Sequence, residues 1–204
     1  MCARYELTTP PERMIERFGL RVPPMSDGGW GPRPFERGEV RPTNIAPVIL
    51  PGGTVVALPW GLVVTWQDQP LINARAETLD TKPTFRPLLE SRCLVPATAY
   101  FEWRRDGKNK IKTRISTADG LFAMAGLIDA RGDTQRFTIV TCAPAPEIAH
   151  IHDRMPAVLD PAGQSAWLSA APFADVKGVL MTYRGAMAFT EPAAIPPRQG
   201  ALLL

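Results

Sequence analysis

A chain of 204 residues with 23 Lys and Arg against 20 Asp and Glu, a net charge of +3, is long enough to bury a core without disulfides. So even a balance demands no polyanion partner, although it permits one where the charges gather on one face. No run approaches eighteen apolar residues and no basic segment leads into an apolar one, which excludes membrane-spanning and secretory classes. Cys2, Cys93 and Cys142 are an odd, dispersed set, the pattern of free thiols in a reducing, cytoplasmic compartment.

In chain order, Thr9-Pro10-Pro11-Glu12 reads as a capping box, with Thr9 as N-cap and Pro10 at the first helical position. A short helix carrying Met14, Ile15 and Phe18 on one stripe then ends at Gly19. Residues 23–42 turn to Gly, Pro and charge without periodicity, which predicts a long surface loop. The apolar runs at 45–50 and 54–58 around Pro51-Gly52-Gly53 read as a strand pair, and 60–64 as a further strand. A short helix is expected near 84–91. Runs at 97–104, 111–117, 121–129 and 136–141, separated by Asp106-Gly107, Asp119-Gly120 and Gly132-Asp133, predict a four-stranded antiparallel meander. Asp160-Pro161 caps a helix to about Leu168, a β-like stretch covers 176–189, and a proline-rich tail begins at about 185. With no repeat and no linker, residues 1–204 are expected to form a single α+β domain, a curved mainly antiparallel sheet or open barrel with short flanking helices.

The second residue is the chemically distinctive one. Removal of Met1, favoured by a small following side chain, would leave Cys2 with a free α-amine and a free thiol on one carbon. Such an aminothiol condenses with an aldehyde to an imine, and the thiol then closes a five-membered ring intramolecularly. An α-amine of pKa about 8 keeps a useful neutral fraction at physiological pH, which a lysine at about 10.4 does not. A cysteine at position 2 is by itself commonly incidental, so the chemistry needs companions.

Glu102, between Phe101 and Trp103 on a predicted strand, faces away from both. It is either a solvent-facing carboxylate or a desolvated one of raised pKa suited to proton transfer. His150 and His152, the only histidines, share Ala149-His150-Ile151-His152-Asp153-Arg154-Met155-Pro156, which supplies proton donors and anion contacts together. Zinc is a rival use for these side chains, but there is no Cys-x-x-Cys and the cysteines are scattered. Asn73 and Arg75 point the same way on an extended chain, either as an ordinary polar loop or as a pair that orients an amine and grips a phosphate. Lys108, Lys110, Lys112 and Arg114 share one parity, forming either a solvated face or a rail for a phosphate backbone, with Trp30, Trp66 and Trp103 as stacking platforms for unpaired bases.

Collected in order, Met1-Cys2-Ala3-Arg4, Asn44-Ile45-Ala46-Pro47, Trp60-Gly61-Leu62, Asn73-Ala74-Arg75-Ala76-Glu77-Thr78, Phe101-Glu102-Trp103 and Ile151-His152-Asp153-Arg154-Met155-Pro156 resemble the SRAP family, the SOS-response-associated peptidase group whose members shield abasic sites in single-stranded DNA. The resemblance implies that Cys2 captures the ring-opened sugar aldehyde as a thiazolidine, with Asn73 positioning its amine. It further implies that Glu102 moves protons during Schiff-base formation and reversal, and that His152 assists sugar-ring opening. Arg4, Arg75 and Thr141 match positions that contact DNA near the lesion, and Asn44, Trp66 and Trp103 are assigned to the same DNA-binding set. No metal or other cofactor is implied, and a cytoplasmic, DNA-associated monomer is expected. Ala3 stands where the family usually has glycine, and Val64 where it commonly has proline. A cysteine peptidase or amidase using Cys2, and a non-enzymatic single-strand binder, are the alternatives.

Overall fold

The computed structural model describes residues 2–21 and 38–192. The chain opens with β1 (Arg4–Leu7) and helix α1 (Pro11–Phe18). Pro10, not Thr9, is the N-cap, with an extended ψ of 152° and no side-chain cap. The reason lies in the double proline: Pro11 forces the preceding residue out of the helical region, so Pro10 cannot be the first helical residue. Gly19 stops the helix as predicted, its left-handed φ of 58° letting its N–H reach the Ile15 carbonyl.

Most of the loop expected at 23–42 lies outside the described residues, but its end forms β2 (Gly38–Val40). The hairpin β3 (Ile45–Ile49) and β4 (Val55–Pro59) turns through Pro51–Gly53 as the sequence predicts. The strand expected at 60–64 shortens to β5 (Leu62–Val64), which pairs with β6 (Gln67–Leu71), and β7 (Asn73–Arg75) follows. Gly61 has φ 113°, and a Cβ there would fall 2.8 Å from Pro70 Cβ, so this turn requires glycine. The helix expected at 84–91 is one 3₁₀ turn, Arg86–Leu88.

Next come β8 (Arg92–Ala97), β9 (Ala99–Asp106), β10 (Asn109–Thr117), β11 (Phe122–Asp129) and β12 (Arg136–Cys142). The meander predicted here does not form as one sheet. Strands β9 and β10 make a hairpin, as do β11 and β12, but β11 turns away from β10 and pairs instead with β8. The chain changes sheet at Thr98, whose N–H and hydroxyl both reach the Glu6 carbonyl, and again at Ala118–Gly120. After β13 (Met155–Pro156) and β14 (Val158–Leu159), helix α2 (Pro161–Trp167) begins at Asp160, whose Oδ1 accepts from the Gly163 N–H at 2.7 Å. Helix α3 (Phe173–Val176) and a 3₁₀ turn to Val179 replace the first part of the β-like stretch expected at 176–189, because Phe173 and Val176 bury one helical face after Pro172. Strand β15 (Met187–Thr190) falls inside the region expected to be tail, whose remainder from 193 lies outside the described residues.

Two large sheets result, in the orders β15-β10-β9-β1-β2 and β13-β12-β11-β8-β3-β4, with β14 beside β11 and β7 beside β12, and β5-β6 forms a separate two-stranded sheet. Among the described residues all pairings between these strands are antiparallel except β7 with β12, and no barrel closes. The sheets share one core in which Tyr5 packs edge-on against Trp60 at 5.2 Å and Trp60 stacks on Phe137 at 6.5 Å. The second sheet is tied to the C-terminal helices by buried Arg92. Its Nε donates to the Trp167 carbonyl at 2.8 Å, and Nη2 to those of Ser169 and Ala171 at 2.8 and 2.7 Å. Arg92→Ala strands those carbonyls and should lower folding stability on the order of 3 kcal/mol, read by urea unfolding, whereas Arg131→Ala on an exposed pair should change it by less than about 1 kcal/mol.

Candidate functional site

Cys2 precedes β1, and because β1 is an inner strand of its sheet, residue 2 is carried inward and is only 1% exposed. Its Sγ donates to the Arg4 carbonyl at 3.3 Å. Burial, reinforced by the negative charge of Glu102, pushes the thiol well above the usual thiol range. Asn73 reaches it from β7, where Ile139 of β12 holds the register, and donates from Nδ2 to the Cys2 carbonyl at 2.8 Å. That bond fixes the amide's orientation, and it leaves Asn73 Oδ1 buried with no hydrogen-bond partner among the described residues.

Glu102 lies on β9, on the same face as Tyr100 and opposite Phe101 and Trp103, as alternation predicts. It is not solvent-facing: only 2% of it is exposed, and burial, with Asp153's charge adding, raises its pKa to about 7. His152 Nε2 stands 3.8 Å from Glu102 Oε2. On the other side of the ring, Nδ1 is 3.0 Å from the Arg154 N–H and 2.8 Å from Asp153 Oδ1. Nδ1 serves one of these at a time. Bare, it accepts from Arg154 and leaves a proton on Nε2 facing Glu102; protonated, it donates to Asp153. Burial lowers the His152 pKa, which favours the neutral ring.

The loop that presents His152 is anchored by Arg154, whose guanidinium grips Glu77 at 2.7 and 2.8 Å and donates to the Thr141 carbonyl at 2.7 Å. A cleft of about 530 Å³ opens between this loop and β9–β10, lined by Glu102, Trp103, Arg105, Lys110, His150 and His152 among others. Arg105, register partner of Lys110 in the β9–β10 hairpin, carries no signal in the sequence that marks it as a cleft residue.

The remaining predicted residues are distributed less evenly. Arg4 lies 5.6 Å over the Trp103 ring with its guanidinium held by Glu39 at 2.7 Å, and Arg75 is exposed at the end of β7. Thr141, register partner of Arg75, is buried with its hydroxyl on the Ala74 carbonyl at 3.4 Å. Asn44 takes the Arg41 N–H at 2.9 Å within its own turn, and Trp66 projects from the β5–β6 turn, 64% exposed. Trp30 lies outside the described residues. In the basic run, Lys112 pairs with Glu39 and Arg114 with Glu6 at 2.6 Å, so the inner half of that rail is already neutralised. Among the described residues no group of three or more His, Cys, Asp or Glu could hold a metal, and no helix is long and apolar enough to cross a membrane.

This chain belongs to the SOS response associated peptidase (SRAP) family, whose profile matches residues 1–191. It is 35% identical over 191 residues to abasic site processing protein YoaM of Bacillus subtilis (strain 168), covering 83% of this chain and 79% of that protein. It is 39% identical over 116 residues to abasic site processing protein YedK of Escherichia coli (strain K12), covering 53% of this chain and 52% of the relative. A crystal structure of a Bacteroides thetaiotaomicron protein superposes with a TM-score of 0.78 at 27% identity, covering 93% of this chain and 91% of that one.

The raised pKa of Glu102 has a consequence for stability. Between the ordinary carboxylate range and about 7 the folded chain holds a proton there that the unfolded chain releases, so this stabilisation is complete at low pH and lost as pH rises through that window. Glu102→Gln, always neutral, should escape the loss. Its melting temperature relative to wild type is expected to climb from about pH 5 to about pH 8, and a pH-independent difference would show that Glu102 ionises as freely folded as unfolded.

Proposed function

We propose that the chain recognises abasic sites in single-stranded DNA and captures the sugar aldehyde covalently through Cys2, forming a thiazolidine that shields the lesion. The observation that carries this reading is the Asn73 amide, which holds the Cys2 carbonyl through Nδ2 and keeps a buried acceptor, Oδ1, with no partner among the described residues. A buried acceptor without a donor is costly, and the α-amine exposed by Met1 removal is a donor on the same residue as the carbonyl. Accepting from that amine turns its lone pair toward an incoming carbonyl carbon.

The chemistry then follows from the pKa order. The amine attacks C1′ of the open-chain sugar and gives a carbinolamine. Glu102, near pKa 7, protonates the departing hydroxyl, which leaves as water and yields the protonated imine. The thiol adds to the same carbon and its proton returns to the Glu102 carboxylate, leaving the ring nitrogen with its single N–H. One C–N and one C–S bond form, one water is lost, and neither oxidant nor reductant is needed. Reversal uses the same groups in the opposite order. Neutral His152, in the tautomer whose Nδ1–H donates to Asp153 and whose Nε2 is bare toward Glu102, takes the C1′ hydroxyl proton that must leave for the closed sugar to open. Arg4, Arg75 and Trp103 flank this centre as contacts for the strand, with Asn44 and Trp66 completing the proposed DNA-binding set, while buried Thr141 acts only by accepting from the Arg154 guanidinium that anchors the His152 loop. The reading calls on no cofactor.

A cysteine peptidase would need the thiolate to attack first. The high thiol pKa favours the order above instead, in which the amine begins and the thiol follows intramolecularly. Wild-type protein mixed with a single-stranded oligonucleotide bearing one abasic site should give an adduct that survives denaturing electrophoresis. Cys2→Ala should give none, and Cys2→Ser only a Schiff base that requires borohydride to trap it. No adduct from wild type, or an undiminished one from Cys2→Ala, would sink the proposal.

A further inference from the structure

Beside the cleft, and unused by the chemistry above, is a side-chain arrangement shaped for an anion and filled by the protein itself. On β9, Arg104 lies two residues beyond Glu102 and shares its face, and across the hairpin Thr113 is the register partner of Glu102. The carboxylate of Glu191, the first residue after β15, occupies both. Arg104 Nε donates to Oε1 at 2.7 Å and Nη2 to Oε2 at 2.8 Å, while the Thr113 hydroxyl donates to Oε1 at 2.9 Å. A planar two-pronged guanidinium plus a hydroxyl is a donor set that matches two oxygens of a phosphate as well as it matches a carboxylate.

The surroundings favour a phosphate there. Arg105 and Lys110 line the adjoining cleft and are exposed. The occupant is carried by an edge strand: β15 pairs only with β10, and its Phe189, 43% exposed, touches the ring of His150 at 5.2 Å. The Arg104 guanidinium holds the Glu191 carboxyl down at about 2, so Glu191 is anionic at every working pH. A negative charge fixed two strand positions from Glu102 repels a strand of DNA unless it is displaced.

We propose, resting on the single-stranded DNA reading above, that Arg104 and Thr113 form a phosphate subsite at the rim of the Glu102–His152 cleft. Glu191 fills it in the free protein, and a phosphodiester of the bound strand takes its place. The C-terminal strand is then an internal competitor for DNA. Displacement exchanges one partner of Arg104 for another, so the effect on affinity is modest and specific to that arginine.

The test uses full-length protein in a Cys2→Ala background with an undamaged single-stranded oligonucleotide, read by fluorescence anisotropy across a salt series. Covalent capture plays no part there, so failure of the thiazolidine reading and failure of this one are distinguishable. Glu191→Gln should bind roughly two- to five-fold tighter, the range of an exposed ion pair. Arg104→Gln should bind more weakly, with a slope of log K against log salt shallower by about 0.7, one phosphate's worth on a single strand. The double variant should bind no tighter than Arg104→Gln. Unchanged or weaker binding by Glu191→Gln overturns the proposal, as does a gain that persists without Arg104, which would reflect only the lost negative charge. Should Glu191→Gln loosen β15 and lower the melting temperature, the Arg104→Gln arm still decides: affinity and salt slope equal to those of the parent would refute the subsite.

Discussion

The site depends on one constraint: the N-terminal strand lies inside its sheet rather than at an edge. Chain ends ordinarily fray, but β1 is hydrogen-bonded on both sides, to β2 and to β9, and residue 2 inherits that order. Tyr5 fixes the strand from below by packing on Trp60, and Trp60 in turn donates from Nε1 to the Ile72 carbonyl at 2.9 Å, one residue before Asn73. The indole thus joins the strand that carries Cys2 to the strand that carries Asn73.

The electrostatics divide between the two faces of that sheet. Outside, Arg4 and Lys112 share Glu39, and Arg114 is held by Glu6. These exposed pairs add little stability, but they fix side chains that would otherwise sample solvent. Inside, a carboxylate with a pKa near 7 and a histidine inclined to stay neutral face each other over 3.8 Å. Burying an acid so that it holds its proton near neutrality works against folding as pH rises, and it provides a group that can both give and take a proton at pH 7.

Much of this was legible in the sequence. Cys2, Asn73, Glu102 and His152 stand out in the sequence because an aminothiol has few partners suited to it and the ordered motifs surrounding it resemble one family; the fold brings Asn73 to Cys2 and His152 to Glu102. The α+β class and the hairpins at Asp106-Gly107 and Gly132-Asp133 followed from turn chemistry. The division into two sheets did not. Asp119-Gly120 gives the same local signal whether the next strand folds back or crosses over. The available clue was β11 itself, Phe122 to Ile128, which is apolar without alternation and so belongs at the centre of a sheet covered on both faces. The roles of Glu39 and Glu191 were also illegible, since an isolated glutamate acquires a partner only through long-range pairing, here with Arg4 and Lys112 and with Arg104 and Thr113.

The central claim is that the amine and the thiol of one residue are both consumed. Intact-mass and peptide-level mass spectrometry of the adduct with an abasic oligonucleotide tests it directly. The expected product lacks Met1, weighs the sum of protein and DNA less one water, and carries the DNA on an N-terminal peptide with neither a free amine nor a free thiol at Cys2. An adduct that retains Met1, or one attached through a lysine, would contradict the account.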